Sequence, residues 1–393
     1  MRHQLFGFHR LSFCLLIIFS FTFLTLCAQK KTNIIDVSGF RDSEYHWKDI
    51  TDHEQVIVPN KDQQSYQPAE VREIANNILL YQQPNGGWPK NYDMLAMLTD
   101  AQKQVLRKHK DSNRTTFDNG ATYSQVEYLV KAYSKTSDSE YKKAALRGIN
   151  FMLDAQYNNG GWPQFYPDVK GYRKYITFND GAMIGVMTVL HHIVQNDSYY
   201  SFVDVATRKK VAQAFAKGID CILKCQIIEN GQLTVWCQQH DNIDFSPRNA
   251  RTFELASKAS EESTQIIELL MSIDLPGPEI INAVKSAVSW FKQVEIKGII
   301  IKTITDTEEV YKFHATNLDK IVMQDSSAKP IWTRYYELET NRPFFANRDG
   351  KKVYQLADVS RERRTGYAWY GYWPQKMLNV EYPGWIKNVE TKN

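Results

Sequence analysis

Two short stretches of the chain share a frame that could assemble oxygen ligands. Thr116-Phe-Asp-Asn-Gly-Ala121 returns as Thr177-Phe-Asn-Asp-Gly-Ala182, so Asp118 and Asn119 are echoed by Asn179 and Asp180. Brought together, two carboxylates and two amide oxygens make a set of hard donors that suits calcium rather than zinc. Asp and Asn are also favoured helix N-caps, and caps in a repeated unit resemble one another. The frame alone therefore leaves metal site and cap open. Two aspartates facing a cleft would also suit a glycoside hydrolase, as acid and base.

A second group of residues is basic. Arg248 and Arg251 stand in Pro247-Arg-Asn-Ala-Arg-Thr-Phe-Glu-Leu255, followed by Glu261 and Glu262. Further on come Arg334, Arg342 and Arg348, then Arg361, Arg363 and Arg364, interleaved with Tyr and Trp. Guanidinium forks match carboxylates bidentately, and aromatic faces suit sugar rings. The aromatic content of 13%, with 9 Trp and 22 Tyr, leans the same way, although a dense core would explain it too. Nucleic-acid surfaces use similar residues. Here the N-terminus argues against them, because Arg2 and Arg10 flank the start of an apolar run over residues 11–26 that ends at Cys27-Ala28-Gln29. This reads as a signal peptide over 1–28, cut after Ala28; a retained anchor and a lipoprotein cut before Cys27 fit less well. Its removal leaves a net charge of about +2, too small for a global field that would attract a polyanion. The expected product is exported, secreted or periplasmic, with no membrane span in the mature form.

The elements that must position these residues are mainly helices. Residues 29–63 are polar without clear periodicity and read as an extended N-terminal arm; the catalytic domain is expected over 64–393. Apolar residues recur at helical spacing over 71–79, 121–134, 141–156, 181–195, 205–226, 260–273 and 278–294. Strand-like runs are scarce before Trp332–Leu338 and Lys352–Leu356, which predict a small C-terminal sheet. Gln82-Gln-Pro-Asn-Gly-Gly-Trp88-Pro89 recurs as Gln156-Tyr-Asn-Asn-Gly-Gly-Trp162-Pro163, and a decayed third copy runs from Gln226 to Trp236. The three tryptophans are 74 residues apart. Each unit is expected to be an inner helix, a Gly-Gly-Trp-Pro stop, a loop, and a helix opened by Asp-Asn-Gly or Asn-Asp-Gly. Helical hairpins repeated this way predict an all-α (α/α) toroid with a small β addition. Cys221, Cys225 and Cys237 complete no zinc pattern, and one disulfide plus one buried thiol is expected.

Taken in order from about residue 65 to residue 380, these motifs resemble the pectate lyases of polysaccharide lyase family 10. The Asn-Gly-Gly-Trp-Pro stops, Thr-Phe-Asp-Asn-Gly-Ala, Pro-Arg-Asn-Ala-Arg-Thr-Phe-Glu, Arg334-Tyr-Tyr-Glu-Leu-Glu-Thr-Asn-Arg-Pro343 and Arg363-Arg-Thr-Gly-Tyr-Ala-Trp-Tyr-Gly371 carry the likeness. It implies a monomer with a groove for polygalacturonate, a Ca2+ cofactor and anti-β-elimination to 4,5-unsaturated oligogalacturonates. By position it implies Asp118 and Asp180 as calcium and substrate-site carboxylates and Arg251 as catalytic base. Arg334 and Arg348 would hold uronate carboxylates, with Arg248, Asn119 and Asn179 nearby as substrate contacts. An arginine base is costly: neutrality near pH 9 from a value of about 12.5–13.8 costs roughly 5 kcal/mol. Alternatives are a glycoside hydrolase, a non-catalytic binder of acidic glycans, and a terpenoid cyclase. The last is disfavoured because no Asp-x-Asp-Asp motif is present.

Overall fold

The computed structural model describes residues 34–50, 55–112 and 114–392; the signal peptide expected over 1–28 lies outside them. The longer helices are α1 (Arg41–Lys48), α2 (Val71–Tyr81), α3 (Asp100–Lys108), α4 (Tyr123–Thr136), α5 (Ser139–Asp154), α6 (Ala182–Val194), α7 (Val205–Cys225), α8 (Ser260–Met271) and α9 (Pro278–Gln293). They stack in two layers. Helices α4, α6 and α8 pack side by side, and α5, α7 and α9 each back the helix before them, with α2 heading the outer row. Hydrophobic patterning sets the layers. In α6 both faces are apolar and Met183, Val186, Met187 and Leu190 are fully buried, whereas α5 buries Ala144 and Ile149 and exposes Lys143 and Arg147. The helix before each Gly-Gly-Trp stop therefore lies in the outer layer, not the inner one that the repeat suggested.

The repeat has a hydrogen-bonding logic. An α-helix leaves its last carbonyls without partners. Trp88, Trp162 and Trp236 donate their indole N–H to Ile78, Met152 and Ile222, near the ends of α2, α5 and α7, at 2.8, 2.7 and 2.7 Å. Gln82, Gln156 and Gln226 then lace each stop to the next outer helix, donating to the carbonyls of Ala144, Ala214 and Ala283 at 2.9, 2.8 and 3.0 Å. The third copy lost its Gly-Gly-Trp-Pro spelling but kept both bonds. At Gly160 two demands coincide: φ is +95°, and an added Cβ would lie 2.0 Å from the Lys217 carbonyl oxygen of α7.

Three expectations need correction. Residues 38–48 are not extended: a 3-10 turn, Ser38–Phe40, leads into α1, and the two bury Phe40, Ser43 and Trp47, with Trp47 bonded to the Ile57 carbonyl at 2.8 Å. Only a narrow apolar stripe marks this helix, so periodicity passes it by. Among the described residues there is no disulfide; Cys221, Cys225 and Cys237 are buried free thiols. Cys221 and Cys225 sit one turn apart on α7 with side chains pointing the same way, which is poor geometry for a bridge. The longest strands, Ile299–Val310 and Ala315–Gln324, form an antiparallel hairpin that the sequence reading missed. Its apolar residues, Ile299–Ile301, Ile304, Leu318 and Ile321–Met323, are mixed with charged ones, and the reading passed over a strand signal that was there. The expected C-terminal sheet is present: Lys352–Val353, Pro343–Ala346, Tyr335–Tyr336 and Lys258–Ala259 pair antiparallel in that order. Among the described residues, no helix is long and apolar enough to cross a membrane.

The close approach at Gly160 is testable by urea unfolding. Gly160→Ala is expected to lose about 2–5 kcal/mol, from a left-handed residue plus overpacking. Gly171→Ala, where φ is +59° but nothing lies within 4 Å, is expected to lose only about 1–2 kcal/mol.

Candidate active site

The two Thr-Phe frames fold into 3-10 turns, Asp118–Gly120 and Asn179–Gly181, that pack against each other just before α4 and α6. Asn119 and Asp180 both adopt φ 51°, so these two are the structurally equivalent residues, and Asp118 matches Asn179. Neither carboxylate caps a helix, since no side-chain cap bond is made at the start of α4 or α6. Instead they meet. Asp118 accepts from Gln164 Nε2 at 2.9 Å and Lys90 Nζ at 2.7 Å, Asp180 accepts from Asn179 Nδ2 at 2.6 Å, and the two carboxyls lie within hydrogen-bonding reach of one another.

Electrostatics splits the pair. Burial by itself would raise the Asp118 carboxyl, but Lys90 overrides it and holds the group well below the carboxylate range. Asp180 goes the other way, raised by burial and then by the charge of Asp118, with Arg251 only partly opposing. Without a further cation the pair therefore favours one negative charge rather than two.

The turns line a groove of about 500 Å³ together with Asp42, Tyr45 and His46 of α1, Tyr172, and a row of cations. Each arginine in that row is fixed from behind. Arg251 Nε donates to Glu254 Oε2 at 2.7 Å, and its Nη2 bonds the other oxygen. Arg334 reaches Glu262 at 2.6 Å, Glu261 at 3.1 Å and the Asn179 amide oxygen at 3.1 Å. Arg348 and Arg363 share Glu362, each with a contact of 2.7 Å. Aromatic rings support the same groups: Arg251, Arg348 and Arg363 lie 5.1, 5.5 and 4.9 Å from the buried Phe253 ring, and Arg334 lies 4.8 Å from Tyr367. From the hairpin, Phe313, His314 and Lys320 close one side.

Of the residues singled out in the sequence, Asp118, Asn119, Asp180, Arg251, Arg334 and Arg348 all line this groove. Asn179 sits one layer behind, 2% exposed, bridging Asp180 and Arg334. Arg248 is not among the groove residues; it pairs with Asp241 at 2.9 Å and Asp244 at 3.8 Å in its own loop. Sequence reasoning missed α1, Lys90, Gln164, Tyr172, Lys320 and Arg363 as groove residues. Lys90 and Gln164, each directly after a Gly-Gly-Trp-Pro stop, and Arg363 stood inside recognised motifs.

Against this geometry the comparisons are informative. A family model described as pectic acid lyase matches residues 82–378. The chain belongs to this family, and it is a polysaccharide lyase. Among solved structures it resembles a family 10 polysaccharide lyase from Cellvibrio cellulosa with 29% identity and a TM-score of 0.69, over 90% of this chain and 99% of that one. A mutant of a family 10 polysaccharide lyase from Cellvibrio cellulosa, in complex with trigalacturonic acid, is similar with 32% identity and a TM-score of 0.68, over 80% of this chain and 92% of that one. A search of curated proteins returned no match. The lyase fold is thus mostly helical with small sheets, as the described elements are.

The anchors behind the arginines carry a pH signature. Burial would raise Glu362, but hydrogen bonds from Arg348 and Arg363 hold it at about 2. A depressed carboxylate stabilises above its unfolded value and loses that contribution as pH falls through its folded value. The wild type is thus expected to lose stability from about pH 4.5 down to about pH 2, and Glu362→Gln to show a shallower slope there, read by thermal unfolding across that range.

Proposed function

We propose that this lyase cleaves polygalacturonate by calcium-dependent anti-β-elimination in the groove between the carboxylate pair and the arginine row. The observation that carries this reading is the juxtaposition itself: two adjacent carboxylates, Asp118 buried and Asp180 half-buried, face guanidinium groups already anchored on their own glutamates. The trigalacturonic acid held by the Cellvibrio relative supports a galacturonate chain as the ligand. In the same reading the two helical layers curve into an (α/α) toroid with the groove at one mouth, and the chain acts as an exported monomer.

The donor set fits a hard cation. Asp118 and Asp180 supply carboxylate oxygens whose mutual repulsion a cation would relieve, and Gln164 Oε1 is a buried carbonyl oxygen without a hydrogen-bond partner beside them. Among the described residues, no group of three or more His, Cys, Asp or Glu converges into a complete metal cage, so the shell would be completed by the ligand's own oxygens. Calcium bound there would withdraw charge from the uronate carboxylate as the C5 carbanion develops. Arg334, Arg348 and Arg363 would neutralise carboxylates along the chain. Because their forks are already oriented, little side-chain entropy is lost on binding.

Arg251 is the proposed base. Nε and Nη2 are spent on Glu254, while Nη1 makes no hydrogen bond among the described residues and is available to the groove. Burial would lower its pKa, yet Glu254 raises it well above the ordinary value in the free enzyme. The cost of neutrality is then above the roughly 5 kcal/mol of an unperturbed arginine, and turnover should climb into the alkaline range. The Glu254 pair also favours a second reading, in which Arg251 stays charged and stabilises the carbanion while hydroxide removes the proton. Arg251→Lys separates the two. A base with a lower pKa moves the rising limb of the kcat–pH profile to lower pH, whereas a charge stabiliser leaves the limb where it was.

The first assay is polygalacturonate with calcium, followed at the absorbance of the unsaturated product. The expected result is absorbance that grows with calcium, stops with chelator, and falls by at least about 10³-fold in Arg251→Ala. Calorimetric titration of calcium into Asp118→Ala and Asp180→Ala should show weakened binding in both. Saturated products alone, or turnover indifferent to chelator, would overturn the reading.

A further inference from the structure

Elimination needs a proton at two places. As C5 loses one, the departing O4 must gain one, and nothing above supplies it. An enzyme working at alkaline pH narrows the choice to groups that keep a proton there: lysine, arginine or tyrosine. Groove histidines lose theirs earlier, and burial lowers His314 further.

The remaining donors are mostly committed. Lys90 is bound to Asp118 at 2.7 Å. Tyr367 donates to Glu254 at 3.0 Å and meets the Tyr335 hydroxyl, and Lys320 reaches the Tyr367 carbonyl at 3.4 Å. Tyr45 stands on α1, where its charged neighbours are Asp49, Asp42 and Arg363. Tyr172 is different. It lines the groove, its hydroxyl makes no hydrogen bond among the described residues, and its charged neighbours are Arg251, Asp118, Lys90 and Glu254, the groups of the proposed reaction centre.

Its placement is built rather than incidental. Tyr172 lies in the 3-10 turn Gly171–Lys174. Gln164 N donates to the Arg173 carbonyl at 3.1 Å, and Gln164 Nε2 donates to Asp118 at 2.9 Å, so one residue ties both the tyrosine's turn and the carboxylate. Arg173 packs 4.0 Å over the Phe165 ring and pins the turn from the other side. Arg251 comes from a separate loop, so the two groups are positioned independently of one another.

Resting on the lyase reading, we propose that Tyr172 is the general acid that protonates the leaving O4. Arg251 takes the C5 proton, the C5–H electron pair becomes the second bond between C4 and C5, and the C4–O4 pair leaves with the oxygen. Tyr172 Oη gives its proton to that oxygen, and water then reprotonates the phenolate and takes the proton from Arg251. Burial raises the phenol above its usual value, with Arg251 and Lys90 opposing and Asp118 and Glu254 adding to the rise, which keeps it protonated at the working pH.

Tyr172→Phe removes one hydroxyl that bonds nothing in the described protein, so folding should be preserved. The expected result is a fall in kcat of about 10²–10⁴-fold on polygalacturonate, with calorimetric affinity for trigalacturonate within about twofold of wild type. The decline of wild-type activity at the highest pH, where Tyr172 ionises, should also disappear. A kcat within about threefold of wild type would overturn the assignment, and so would a loss of affinity matching the loss of turnover. If wild type itself makes no unsaturated product the lyase reading fails; if wild type and Tyr172→Phe both make it equally fast, only the role of Tyr172 does.

Discussion

Two carboxylates packed against each other, Asp118 buried and Asp180 half-buried, set the terms for everything around them. Taking an ion out of water costs several kcal/mol, and a second like charge alongside adds to it. The protein meets this with Lys90 on Asp118, Asn179 on Asp180 and Arg251 and Arg334 nearby, yet Asp180 remains driven towards its protonated form. In the proposed reading, positive charge from outside would let both carboxylates ionise. A cation and an anionic sugar would then bind together, each answering the charge the other brings.

The arginine row solves the complementary problem. Guanidinium groups facing an empty groove would repel one another and wander among rotamers. Here Glu254, Glu262 and Glu362 sit behind them, and Phe253 and Tyr367 hold their planes. The glutamates spend some of the positive field and in exchange fix its direction. For binding this is favourable, because orientation is settled before the substrate arrives. For the proposed base it would be a burden, since Glu254 stabilises the very charge that Arg251 would have to give up. The position of the alkaline limb reports how those two demands are balanced.

How much of this was legible in the sequence follows from how local each interaction is. The Gln and Trp of the repeat make bonds that depend on a helix end a few residues away, so their spelling recurs and could be read. The Asp-Asn turns could be read as a frame, but whether they cap helices or meet each other depends on two turns packing side by side. Arg248 shares a loop with Arg251, three residues apart, and only the fold shows that it pairs with Asp241 and stands apart from the groove residues. Helix α1, Tyr172 and the hairpin reach the groove through tertiary packing across many residues. Their own sequences carry ordinary surface patterns, and nothing in a three-residue stretch such as Gly171-Tyr-Arg173 announces a groove.

The central claim is that the bond breaks by elimination and not by hydrolysis. Proton NMR of the products from wild-type enzyme, polygalacturonate and calcium tests it most directly. The account predicts a vinylic H4 signal on each newly formed non-reducing end. Products whose new non-reducing ends are all saturated, with a hydroxyl at C4, would contradict it.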